Sequence, residues 1–128
     1  MKSFTDLEQS KKLAEILPIE SSDQTWARIA IAGVNLDVPE ELQYRHNGDM
    51  PFQYYSGIGL PCWSLAALLN VMPSEVVDNH FLTLHKEGEE YCCCYENYNG
   101  HSIKGCFSDN PIDACYEMII KLKEEGLI

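Results

Sequence analysis

The chemistry most visible in this sequence belongs to its cysteines. Cys92, Cys93 and Cys94 are consecutive, with His85 upstream and Cys106 and Cys115 downstream. Side chains on a strand alternate between faces, so Cys92 and Cys94 share one face and Cys93 takes the other; at most two of the three can serve one metal ion. Cys106 on a neighbouring strand, with Cys115 or His85, can complete a tetrahedral set. Against this stands the absence of any Cys-x-x-Cys pair, the usual mark of a structural zinc site, and the habit of buried cysteine to pack as a small apolar side chain. The sequence therefore predicts no metal and no cofactor.

Cys62 lies near the expected start of a helix, where the dipole lowers a thiol pKa, and His46 or His80 can serve as its base. Six thiols and four histidines always allow such a pairing, and no spacing requires this one, so no catalytic residue is assigned. Gly57-Ile58-Gly59 resembles a phosphate-binding turn but lacks the third glycine, and Pro61 removes an amide donor. A tight turn is the better account.

A second group has the composition of a recognition surface. Tyr44, Arg45, His46, Phe52, Tyr54 and Tyr55 crowd a turn-rich stretch, and tyrosine and arginine combine large contact area with a polar end. These six are the expected binding residues. They can grip a loop of a partner protein, or stack and hold a small nucleotide-like ligand. The acidic groups Asp37, Glu40 and Glu41, and Glu87, Glu89 and Glu90, read as solvated turn residues.

The whole chain sets limits on these readings. Its 128 residues suit one domain spanning 1–128, and 45% hydrophobic content with 13 aromatics argues for a folded core. Twenty acids against nine bases give a formal charge of −11, which disfavours generic binding to nucleic acid or to anionic membranes. The longest apolar stretch, Leu65 to Val71, is too short to span a bilayer, and Met1-Lys2-Ser3-Phe4-Thr5-Asp6 has no apolar signal core. The expected setting is the cytosol, with reduced thiols.

Three helices and a meander position these side chains. A helix from about Asp6 to Leu17 is opened by Thr5-Asp6-Leu7-Glu8, read as a capping box, and stopped by Pro18. Thr25 to Val34 reads as a strand. Turns are expected at Pro39-Glu40-Glu41 and Asn47-Gly48-Asp49, with a short strand at Phe52 to Tyr55. A second helix, from Pro61 or Cys62 to Val71, is apolar nearly all round and is expected at the centre of the core. Strands at His80–Lys86, Tyr91–Tyr98 and His101–Phe107 form an antiparallel meander, turned by Glu87-Gly88-Glu89-Glu90 and Asn99-Gly100. A final helix from Pro111 to Glu125 carries Asn110 as N-cap and Gly126 as its left-handed terminator. The fold class is α+β: an antiparallel meander packed against N-terminal, central and C-terminal helices.

Three segments, Phe4 to Pro18, Leu60 to Leu69 and Asp109 to Leu122, together resemble a family of small uncharacterised proteins encoded by phages and mobile elements of gut Bacteroidetes. The resemblance implies no catalytic motif. It implies a context, since small accessory genes of such elements often encode proteins that disarm host defences. The expected function is non-enzymatic binding of a host protein in the host cytosol, with residues 39–59 as the contact. Sequestration of a small nucleotide-like molecule is the alternative, and a thiol- or zinc-dependent enzyme comes third.

Overall fold

A computed structural model describes residues 2–31, 34–41 and 60–128, with the side chains of 27–31 and 34–41 left aside. The chain forms two compact units, one of Phe4–Ala67 and one of Met1–Ser3 with Leu68–Ile128. The fold is α+β, and the described residues form three α-helices, two antiparallel sheets and the expected meander.

In the first unit, α1 spans Leu7–Ile16. Its capping box lies one residue further on than the sequence suggests. Asp6 Oδ1 accepts from the Gln9 amide at 2.8 Å, and Gln9 Oε1 accepts from the Asp6 amide at 3.1 Å. The shift frees Thr5, which is fully buried and has a different task, described below. β1 (Gln24–Ile31) lies between β2 (Val34–Glu41) and β3 (Leu60–Cys62). The expected turn at Pro39-Glu40-Glu41 is instead the end of β2, with Pro39 opposite Trp26. Proline is tolerated there because β2 is the outermost strand of the sheet among the described residues, where a missing amide breaks no central ladder.

The segment Leu60-Pro61-Cys62 is likewise strand and not helix. It pairs with Gln24, Thr25 and Trp26, and α2 begins only at Leu65 and runs to Val71. Ser64 marks that start: its Oγ accepts from the Ala67 amide at 3.3 Å, while its own amide donates to Asp23 Oδ1 at 2.9 Å. The hydroxyl also contacts Asp23 Oδ2. α2 is not enclosed on all sides as expected, because Ala66 and Asn70 are exposed while Ala67 and Leu68 are buried.

Thr25 Oγ1 is buried and, among the described residues, lacks a hydrogen-bond partner. Stranding a hydroxyl in this way is costly, so Thr25→Val should be neutral or raise stability by about 1 kcal/mol, read as a higher urea midpoint at unchanged m.

In the second unit, β4 (Glu75–Val76), β5 (His80–Glu87), β6 (Glu90–Glu96) and β7 (Ser102–Ser108) lie side by side in chain order. The sequence reading lacks β4. Asp78 and Asn79 both take positive φ, 54° and 60°, and turn it into β5. The β5–β6 hairpin closes between Glu87 and Glu90, with Gly88 at φ 60°. The β6–β7 turn differs from the two-residue form that Asn-Gly suggests. Asn97 and His101 pair across it, the Gly100 amide donates to the Asn97 carbonyl, and only Gly100, at φ 80°, takes the left-handed conformation. This is a three-residue loop in which a right-handed turn is followed by one glycine.

α3 (Pro111–Glu124) covers one face of β6 and β7. Its ends match the sequence reading. Asn110 Oδ1 accepts from the Asp113 amide at 2.8 Å, and Pro111 occupies the first turn. Gly126, at φ 73°, lets its own amide reach Lys123 and the Leu127 amide reach Leu122, the two bonds of a Schellman motif. Ile112, Cys115, Met118, Ile119 and Leu122 are all buried, as their spacing requires. Lys2 Nζ binds Asp113 Oδ1 at 2.6 Å and ties the start of the chain to this helix.

Candidate functional site

All six expected binding residues, Tyr44, Arg45, His46, Phe52, Tyr54 and Tyr55, lie outside the described residues, as does Gly57-Ile58-Gly59. The chemistry that can be placed is that of the thiols and of three histidines.

Cys62 is fully buried in β3 and not at a helix start. It belongs to a polar knot centred on Thr5. The Thr5 amide donates to the Trp63 carbonyl at 2.9 Å, and the Trp63 amide donates to Thr5 Oγ1 at 3.2 Å. That hydroxyl also shares a 2.7 Å hydrogen bond with Ser10 Oγ. The Thr5 carbonyl accepts from Trp26 Nε1 at 2.9 Å and from the Cys62 thiol at 3.4 Å. Loss of water pushes the Cys62 thiol up to about 11, against the smaller opposing effect of its bonds to Thr5 and Ser10. At neutral pH it is a protonated thiol and not a nucleophile.

His80, proposed as its base, is engaged elsewhere. Its Nδ1 lies 2.9 Å from the Val77 carbonyl and its Nε2 lies 3.1 Å from His101 Nδ1. Both ring nitrogens are thus satisfied within the β4–β5 turn and the β6–β7 loop. His46 lies outside the described residues.

The triple thiol run divides as strand geometry demands. Cys93 faces α3, where its thiol meets Cys115. Its register partner Cys106 lies on the same side, beside Lys121. The contact with Cys115, together with burial, holds the Cys93 proton tightly. Burial also raises Cys106, partly offset by the Lys121 ammonium. Cys92 and Cys94 take the opposite face with His85, and the donor atoms of these three lie within 4.8 Å of one another. Cys106 and Cys115 therefore cannot join that group, and of the fourth donors named from sequence only His85 does. Burial pushes Cys94 up to about 12, with Cys92 adding to the effect, and burial raises Cys92 as well.

Two neighbours of this face escape the sequence reading. Glu87 Oε1 lies 3.0 Å from His85 Nε2, and Glu96 Oε2 lies 3.9 Å from Cys94 Sγ. Both stand two residues from their partner on the same strand, a spacing visible in the sequence once the strands are placed. A depression between the first half of β7 and the end of α3, lined by Lys104, Lys121 and Glu125 among others, offers an anion little. Lys104 contacts Glu125, and Lys121 donates to the Gly105 carbonyl at 3.1 Å.

Comparison of the chain with protein-family models, with curated proteins and with solved structures finds no match in any of the three. Among the described residues, no helix is long and apolar enough to cross a membrane.

Proposed function

We infer that this is a non-enzymatic accessory protein of a phage or mobile element that binds a host protein, in keeping with a counter-defence role, and that residues 39–59 form the preferred contact. The observation that supports this reading best is the state of the thiols. All six are buried, and the pKa is raised at Cys62, Cys92, Cys94 and Cys106 by burial and at Cys93 by its contact with Cys115 and burial, the opposite of what activates the sulfur of a cysteine enzyme. The contact would begin in β2, the outermost strand of its sheet among the described residues, a position suited to pairing with a partner segment. The phage or mobile-element setting rests on the resemblance of the three sequence segments alone.

Native pull-down from a gut Bacteroidetes lysate at moderate salt tests this. The wild type should retain one host protein in stoichiometric amount, and Tyr44→Ala/Arg45→Ala/Tyr54→Ala, at matched melting temperature, should lose it. No retained protein, or equal retention by the variant, overturns the reading. A thermal shift with nucleotides alone would replace it with sequestration of a small molecule, because a ligand that binds only the native state raises the melting temperature. Rapid alkylation of a single thiol in the folded protein would replace it with an enzyme.

A further inference from the structure

We propose that His85, Cys92 and Cys94 form a binding site for a thiophilic divalent cation, and that zinc is the ion these donors fit. The case starts from register. His85 stands directly opposite Cys92 across the β5–β6 ladder, and Cys94 is the next residue of β6 on the same face. The two-residue loop Gly88-Glu89 fixes that pairing, since any other closure moves His85 to a different partner. Two sulfurs and an imidazole nitrogen thus converge within 4.8 Å. Around a tetrahedral ion with zinc–sulfur distances of about 2.3 Å, the donors stand about 3.8 Å apart. Rotation of side chains can close that gap without moving the strands.

The surroundings agree with the donors. Glu87 accepts from His85 Nε2, which places the ring proton there and leaves Nδ1 as the basic nitrogen. A carboxylate behind a ligating imidazole orients the ring and raises its basicity. On the other side, Cys94 pairs with Gly105, which has no side chain, and the exposed ring of Phe107 passes over that glycine, 3.7 Å from where a Cβ would stand. The site so has one apolar wall and one wet entrance beside the half-buried His85. Two soft thiolates and one imidazole select zinc over calcium or magnesium, which need oxygen donors. Binding replaces two S–H bonds with two S–Zn bonds, releases both protons to solvent and oxidises nothing. The fourth position is left to water.

The test uses the full-length protein, reduced and freed of metal with a chelator, and zinc chloride in competition with a chromophoric chelator. One equivalent of zinc should bind, with a rise in melting temperature. Cobalt(II) in its place should give a near-ultraviolet thiolate-to-metal band. His85→Gln, Cys92→Ser and Cys94→Ser should each weaken binding at least tenfold, and Glu87→Gln should weaken it about tenfold. Cys106→Ala, on the α3 face, should bind zinc as the wild type does. His85→Gln is the deciding variant if either serine substitution unfolds the sheet, because it alters a half-buried side chain. Absence of a complex at micromolar zinc, equal loss in Cys106→Ala, or a cobalt complex without the thiolate band overturns the proposal. A site that accepts copper(I) but not zinc overturns the assignment of the ion.

Discussion

Thr5→Val should lower the stability of the protein by about 1–3 kcal/mol, although the substitution changes hardly any volume. The valine keeps the shape and removes the oxygen that accepts from the Trp63 amide and bonds Ser10 Oγ. The Trp63 amide is then stranded in a fully enclosed place, while Ser10 Oγ, equally buried, keeps only its long 3.5 Å bond to the Thr5 carbonyl. A stranded donor or acceptor costs about 1–3 kcal/mol, more than the net value of a satisfied bond, because water cannot replace the lost partner. Thr5→Ser keeps the oxygen and should cost about 1 kcal/mol for the lost methyl. Urea unfolding of the two variants side by side provides the measurement. A loss below 0.5 kcal/mol for Thr5→Val, roughly that of an ordinary surface substitution, would show that the knot does not hold the unit together.

The second large effect is a loss of stability in alkali. The Cys62 thiol has a folded pKa of about 11 against an ordinary value of 9.0. Above pH 9 the unfolded chain gives up this proton while the folded chain keeps it, so the native state binds more protons and stability falls as pH rises. The contribution is fully present below pH 9 and is lost by about pH 11, an amount of roughly 2–3 kcal/mol. The other raised thiols act in the same direction. Denaturant unfolding between pH 8 and pH 11 should therefore show a falling stability whose slope is smaller by about one proton in Cys62→Ala. Identical slopes in the two proteins would mean that Cys62 titrates normally.

Where the sequence reading succeeded, a local rule and the tertiary structure agreed. The meander was legible because three alternating segments are separated by turns that contain glycine, and α3 because Asn110, Pro111 and Gly126 mark its ends. The failures have equally local causes. Leu60-Pro61-Cys62-Trp63 is a continuous apolar run, which periodicity cannot divide between strand and helix; only its pairing with β1 decides. Thr5-x-x-Glu8 and Asp6-x-x-Gln9 are overlapping capping signals, and burial of Thr5 against Trp63 selects the second. Pro39 reads as a turn because nothing local reveals that it pairs with Trp26 in a strand. For the metal-ligand candidates, alternation separated Cys93 from its neighbours correctly. The choice of His85 over Cys106 and Cys115 required the register of β5 on β6 and the side taken by α3, both set by long-range packing.

Three identical residues in a row also affect how β6 finds its place. If the strand slid by one position, a sulfur would still occupy two of the three places it held before, and the thiols would scarcely register the error. The discriminating residues are the next two along. Tyr95 is fully buried and its hydroxyl donates to the Pro73 carbonyl at 2.7 Å. A slip that carried the Glu96 carboxylate into that buried place would also press the phenol into the enclosed place of Cys94. Correct alignment during folding thus depends on one aromatic ring and one charge at the strand's end, and substitutions there should favour misaligned, aggregation-prone species more than substitutions of any single cysteine.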